Sequence, residues 1–271
     1  MDKLYIIIPA YNEEETVAAA IAQWHPIAEQ AGAGSRLVII DDGSRDRTLK
    51  IASGLKKKYP RLTVLTKENQ GHGAAVLYGY KYAIRKGADY VFQTDSDGQT
   101  LPSEFPVFWA HRKDGGLLIG CRTYRQDGLS RIFVTKTLRL VLLAAFHVWL
   151  KDANSPYRLM GCGQLQDVLR NVPKNFFLSN VLISVLYSKK NLGVSYYPIS
   201  FLPRQGGKNS ISIRKIFKIG LTSLRQFFAL QKIWERHGYS MGTGRDTDSR
   251  ELQAAPCKQL HKNMKKERVP L

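Results

Sequence analysis

Between Val168 and Trp234 the chain has no aspartate and no glutamate. That absence removes a whole stretch as a source of carboxylate general bases. The same stretch is rich in lysine and arginine, including Arg170, Lys189, Arg204, Lys208 and Arg225. Over 271 residues, 41 basic side chains face 22 acidic ones, a formal charge of +19. Such an excess calls for an anionic partner: nucleic acid, an anionic membrane or a phosphorylated substrate. Cysteine is scarce. Cys121, Cys162 and Cys257 are an odd number without metal-ligand spacing, which fits reduced cytosolic thiols better than a disulfide framework. Long apolar runs are lacking too. The longest, Leu138 to Leu150, is broken by Arg139 and His147 and is too short to span a bilayer. No leader pattern precedes the strand-like start at Leu4. The expectation is a cytoplasmic protein, peripheral at the cytosolic face of a membrane.

Short apolar runs alternate with helical patterns. Leu4–Ile8, Arg36–Ile40, Leu62–Thr66 and Ala88–Thr94 read as strands, the continuous apolar kind that parallel sheets bury. Asn12 is placed to cap the first helix, with Glu13, Glu14 and Glu15 in its positive first turn. A second helix carries Ile51 and Leu55, and a third runs from Gly73 to Lys86. This alternation predicts an α/β fold: a mostly parallel central sheet with helices on both faces. Further on, the pattern predicts a helix over Ser103–Lys113, a strand over Leu117–Gly120, a polar loop over Thr123–Leu129, a helix over Ser130–Leu150, a turn over Asp152–Leu159 and a strand over Val194–Pro198. Three segments follow: a catalytic domain over 1–205, a basic loop with an amphipathic helix over 206–235, and a polar tail over 236–271 that reads as disordered.

Acidic loops follow the first, second and fourth of these strands. They are Ile8-Pro9-Ala10-Tyr11-Asn12-Glu13-Glu14, Asp41-Asp42-Gly43-Ser44-Arg45-Asp46-Arg47-Thr48, and Asp95-Ser96-Asp97-Gly98-Gln99. In a parallel sheet such loops gather at one edge, where nucleotides bind. Asp95 and Asp97 stand at i and i+2, and paired hard oxygen ligands suit Mg²⁺ or Mn²⁺ bridging a diphosphate. A glycine pair, Asn69-Gln70-Gly71-His72-Gly73-Ala74-Ala75, opens the third helix and permits close backbone approach by an anion.

Together these motifs resemble the inverting nucleotide-sugar glycosyltransferases of family 2, with the GT-A fold. The likeness is strongest to the polyprenyl-phosphate type, of which dolichyl-phosphate mannosyltransferase is the best known. It is strong over residues 1–122 and looser to about 235. The resemblance implies roles residue by residue. Pro9, Tyr11, Glu13, Asp42, Gly73 and Asp95 would bind the nucleotide sugar. Asp95, Asp97 and Gln99 would hold the metal, Mg²⁺ or Mn²⁺. Arg122, in the family's G-x-R position, and Arg204, in its R-x-G-G-x-S loop, would join Asp97 as catalytic residues. Arg122, Arg131, Arg204 and Ser210 would grip an acceptor phosphate, guanidinium being suited to oxyanions. Arg158 sits in Ser155-Pro156-Tyr157-Arg158, where the family has S-G-F-R.

Relatives that build polysaccharides carry a later E-D pair, whose Asp is the base, and a Q-x-x-R-W motif. Neither occurs here. A hydroxyl acceptor needs a base, whereas a phosphate monoester is already anionic near neutral pH. The expected reaction is therefore transfer of one sugar from a GDP- or UDP-sugar to a polyprenyl phosphate at an anionic membrane surface. The alternatives are a soluble family 2 transferase acting on a glycan or peptide hydroxyl, and a non-catalytic basic protein that binds nucleic acid or membrane. No nucleic-acid-binding signature is present. Sugar, base, prenyl length and oligomeric state are not legible.

Overall fold

The computed structural model describes residues 2–125, 129–173, 176–204 and 226–232, with the side chains of 123–136 set aside. Seven strands form one mixed sheet in the order β3-β2-β1-β4-β6-β5-β7. They are β1 (Leu4–Ala10), β2 (Arg36–Asp41), β3 (Leu62–Thr66), β4 (Tyr90–Gln93), β5 (Leu117–Arg125), β6 (Arg158–Gly161) and β7 (Val194–Phe201). β1 pairs in parallel with β2 and β4, and β2 with β3. β6 runs antiparallel to both β4 and β5, and β5 pairs in parallel with β7.

The strands are apolar because both faces of the sheet are covered. Every residue of β1 is buried. Tyr5 and Ile7 point into one core, and Leu4, Ile6 and Ile8 into the other, as the period of two requires. The first core is closed by α3 (His72–Arg85), α5 (Leu129–Phe146), α6 (Cys162–Leu169) and α7 (Ser179–Lys189). The second is closed by α1 (Val17–Gln30), α2 (Thr48–Gly54) and α4 (Phe105–Ala110). Phe92 is its aromatic hub, with Trp24, Phe105 and Tyr157 rings 5.3, 4.9 and 4.7 Å away. Pro9 is tolerated in a central strand because β4 pairs with β1 only as far as Ile7.

Several sequence expectations are corrected. Asn12 does not cap α1, which begins only at Val17. Instead Asn12 takes a left-handed backbone (φ 53°), and its Oδ1 accepts the Arg45 N–H at 2.8 Å. Glu13, Glu14 and Glu15 thus precede the helix, and its first turn holds no acid. The helix expected over 103–113 is short, because Pro106 lacks an N–H and fits only a first turn. One 3-10 turn (Pro102–Glu104) precedes α4 and another (Arg112–Asp114) follows it. The polar loop expected from Thr123 begins as strand: β5 runs on to Arg125 against β7, with a register shift between Arg122 and Tyr124. α5 ends at Phe146, followed by His147 at φ 52°, short of Leu150. The basic loop 205–210, most of the expected amphipathic helix and the tail lie outside the described residues. Residues 226–232 are helical, and Phe227 is buried between Phe146 and Phe176, with ring centroids 5.4 and 5.6 Å away. Among the described residues no helix is long and apolar enough to cross a membrane.

Candidate active site at the carboxyl edge of the sheet

The loops after β1 and β2 are stitched together. Asn12 N–H donates to Ser44 Oγ at 3.0 Å, Glu13 N–H to Thr48 Oγ1 at 2.8 Å and Glu14 N–H to Asp46 Oδ2 at 3.1 Å. This leaves Tyr11 exposed at the rim. Glu13 is buried, with Oε2 accepting Thr16 Oγ1–H at 2.8 Å and Oε1 accepting Arg204 Nη2–H. Burial raises its pKa even though Thr16 and Arg204 oppose that shift.

Asp41 and Asp42 are both buried and differ in duty. Asp41 accepts Thr66 Oγ1–H at 2.8 Å and Ser44 N–H at 3.3 Å, closing the turn after β2 onto β3. Asp42 accepts Lys67 Nζ at 2.7 Å and the N–H groups of Gly71 and Gln70 at 2.8 and 3.2 Å. The second carboxylate is therefore the one tied to the glycine-containing loop. Gly71 holds φ +89° at the start of α3. Gly73 has no room for a side chain: a Cβ there would stand 2.5 Å from the Phe176 carbonyl oxygen.

Beyond β4, Thr94 and Thr100 hydroxyls meet at 2.7 Å and close the loop that carries Asp95 and Asp97. Asp97 accepts Gln99 N–H at 3.2 Å. Burial, then the charge of Asp95, pushes its carboxyl up to about 6. Two carboxylates crowded in this way fit a divalent cation, whose charge would offset their repulsion. Among the described residues no group of three or more His, Cys, Asp and Glu gathers as a metal cluster. A cation here would rest on Asp95, Asp97 and neutral oxygens. Gln99 is anchored: its Nε2 donates to the Leu202 carbonyl at 2.9 Å, and Leu202 N–H donates to its carbonyl at 2.8 Å. That double bond of strand to loop brings Arg204 into the site, where it acts electrostatically on both Glu13 and Asp97.

The other arginines lie differently. Arg122 makes a two-point pair with buried Asp152, at 2.8 and 2.7 Å, and its guanidinium lies 5.1 Å from the Phe201 ring centroid. Arg158 is fully buried and donates to the carbonyls of Ala153, Ser155 and Asn180. The side chain of Arg131 and all of Ser210 lie outside the described residues. Sequence reasoning passed over Lys67, His72 and Asp152. His72 Nε2 stands 3.1 Å from Asp95 Oδ1. It occupies a variable position of the glycine motif, so no pattern flagged it. Lys67 and Asp152 become visible only through their partners.

The model of the family described as Glycosyl transferase family 2 matches residues 5–234. An undecaprenyl-phosphate 4-deoxy-4-formamido-L-arabinose transferase of Pectobacterium carotovorum is 26% identical over 211 residues, covering 73% of this chain and 62% of that protein. The protein of that name from Salmonella newport is 29% identical over 143 residues, covering 52% and 43%. The chain thus spans under two thirds of the length of these relatives. Among solved structures, glucosyl-3-phosphoglycerate synthase of Mycobacterium tuberculosis, in complex with Mn²⁺, UDP-glucose and phosphoglyceric acid, superposes with a TM-score of 0.59 at 17% identity, covering 84% of this chain and 80% of that one. Mannosyl-3-phosphoglycerate synthase of Rubrobacter xylanophilus gives 0.57 at 12% identity, covering 90% and 78%. These likenesses show the fold. The family match runs from the second residue of β1 to just past the last described helical segment, and on that ground the chain belongs to glycosyl transferase family 2, a glycosyltransferase on the GT-A fold.

Proposed function

We propose that this glycosyltransferase moves one sugar, with inversion, from a nucleotide-sugar donor to a polyprenyl phosphate at the cytosolic face of a membrane. The carrying observation is the distribution of carboxylates. Glu13, Asp42, Asp95 and Asp97 stand on the loops at the carboxyl edge, and no acidic residue occurs between Val168 and Trp234. Asp152, in the turn before β6, is paired with Arg122. An acceptor that needs no base fits this arrangement. The names of the relatives, transferases acting on undecaprenyl phosphate, support the same acceptor class.

In this reading Pro9, Tyr11, Glu13, Asp42 and Gly73 bind the nucleotide sugar. Asp95, Asp97 and Gln99 would hold Mg²⁺ or Mn²⁺, which would supply charge to stabilise the departing nucleoside diphosphate. Arg122 and Arg204 grip phosphate, together with Arg131 and Ser210, and Asp152 holds the Arg122 guanidinium in place. A phosphate oxygen of the acceptor attacks the anomeric carbon. The bond from that carbon to the donor's diphosphate oxygen breaks, and no protein side chain has to lose a proton.

The surface supports a lipid setting. Leu140 and Leu143 of α5, Trp149 beyond it, Phe177 and Phe228 are all exposed. Their elements converge on buried Phe227 through Phe146 and Phe176. Exposed apolar side chains in a chain whose sequence from Arg204 to Lys232 is basic and free of carboxylates suit a headgroup interface.

The test offers a prenyl phosphate and the matching prenyl alcohol at equal concentration, with Mn²⁺ and UDP- and GDP-sugars in turn. Phosphate should react and alcohol should not. Efficient transfer to the alcohol, or to a free sugar hydroxyl, would sink the assignment.

A further inference from the structure

We infer that His72 is a positioning residue for Asp95: its imidazole holds one carboxylate oxygen and so leaves the other as the ligand oxygen for a divalent cation. The inference rests on the metal reading proposed above and adds a residue to it.

The observation is a Gly-His-Gly turn that spans two strands of the sheet. Gly71 takes φ +89° and so aims its N–H at Asp42 Oδ2, 2.8 Å away. Gly73 packs without room for a Cβ against the carbonyls of Phe176 and Phe177, and its own carbonyl accepts Ser179 Oγ–H at 3.2 Å. His72 is held between these fixed points, and its Nε2 lies 3.1 Å from Asp95 Oδ1. One turn therefore joins the carboxylate at the end of β2 to the carboxylate after β4, with β1 between those strands. Side-chain rotation at position 72 has little backbone freedom to exploit.

The two acidic residues of the loop are steered differently. Asp97 is oriented by the backbone N–H of Gln99, which only a proline at that position would remove. Asp95 is oriented by a side chain, and it is partly exposed. A short residue at 72 would let its carboxylate rotate into solvent. Outer hydrogen bonds of this kind orient metal-ligating groups, and their loss typically weakens metal binding by about 10–100-fold.

The experiment titrates Mn²⁺ into the full chain by electron paramagnetic resonance, once with UDP present and once with GDP. His72→Ala should raise the Mn²⁺ Kd by about 10–100-fold, while the melting temperature and metal-free nucleotide binding stay at wild-type values. His72→Gln keeps a donor at similar reach and should recover most of the affinity. His72→Asn, with a shorter reach, should behave like His72→Ala and serves if the alanine variant fails to fold. Mn²⁺ affinity of the alanine or asparagine variant equal to wild type, or a glutamine variant as weak as they are, overturns the inference. A wild-type chain that binds no Mn²⁺ with either nucleotide overturns the metal reading itself and the inference with it. The two failures are distinguishable, because one appears in the variants and the other in the wild type.

Discussion

Arg204, three residues past β7, closes onto Glu13, three residues past β1, across 191 residues of sequence. The pair bridges the mouth of the site. Arg204→Ala should leave a buried carboxyl without its cation and raise the Glu13 pKa further. Because Arg204 is about one third exposed, the stability loss should be only about 1 kcal/mol. If Arg204 also grips phosphate, the variant should lose about 10-fold or more in kcat/KM for prenyl phosphate, which corresponds to roughly 1.4 kcal/mol or more. A double-mutant cycle with Glu13→Gln separates the two duties: in the Glu13→Gln background Arg204→Ala should cost no further stability, and the kinetic loss should persist.

Asp97 makes stability and metal binding respond to pH in opposite directions. Its carboxyl titrates near 6 in the folded chain, against 3.8 ordinarily. Between those values the folded state holds the proton more often than the unfolded state does. Stability without metal should therefore fall as pH rises from about 4 to about 6 and level off above. The contribution of this group is about 3 kcal/mol at most. Urea unfolding in chelator, wild type against Asp97→Asn, isolates it, and the asparagine variant should lack this part of the slope. Mn²⁺ affinity should climb through the same window as the carboxylate ionises.

Arg158 lies fully buried, with no carboxylate among its hydrogen-bond partners. Its donors satisfy the carbonyls of Ala153 and Ser155 in the turn before β6, and of Asn180 in α7. Arg158→Met would strand these oxygens, each at about 1–3 kcal/mol. A loss of about 3 kcal/mol or more in urea unfolding is expected. Arg158→Lys should not restore it, because an ammonium lacks the planar fork.

Phe227 and Phe228 are neighbours with opposite surroundings, the first wholly buried and the second 42% exposed. Phe227→Asp should unfold the region, visible by circular dichroism. Trp149→Asp with Phe228→Asp should leave the fold intact and weaken sedimentation with anionic liposomes, more so at high salt. Unchanged liposome binding in the folded double variant would count against lipid contact at this patch.

Much of the donor half was legible because its strands are buried on both faces and therefore read as continuous apolar runs. The acidic loops followed those strands as expected. What failed was local: Asn12 looks like a helix cap, yet its side chain is taken by Arg45 from another loop. β6 was invisible because it has four residues, Arg158–Gly161, beginning with an arginine. The extension of β5 to Arg125 depends on β7, a partner about 75 residues away that no local pattern announces. Likewise the site residues named by motif, Glu13, Asp95, Asp97, Gln99 and Arg204, do gather. Lys67, which pairs with Asp42, His72, which meets Asp95, and Asp152, which pairs with Arg122, have no motif of their own and are defined only by contact.

The reversed strand β6 divides the edges of the sheet by tolerance to change. Because it runs against β4, the loop that precedes it, rather than one that follows, joins the acidic loops at the carboxyl edge. The opposite edge carries the turn at Gly87, which has φ +68° and open space around its absent Cβ. Insertions, affinity handles or fluorescent labels belong at that opposite edge. The same cargo in the segment before β6 would press on the clasped carbonyls of Ala153 and Ser155 and reach the reacting groups.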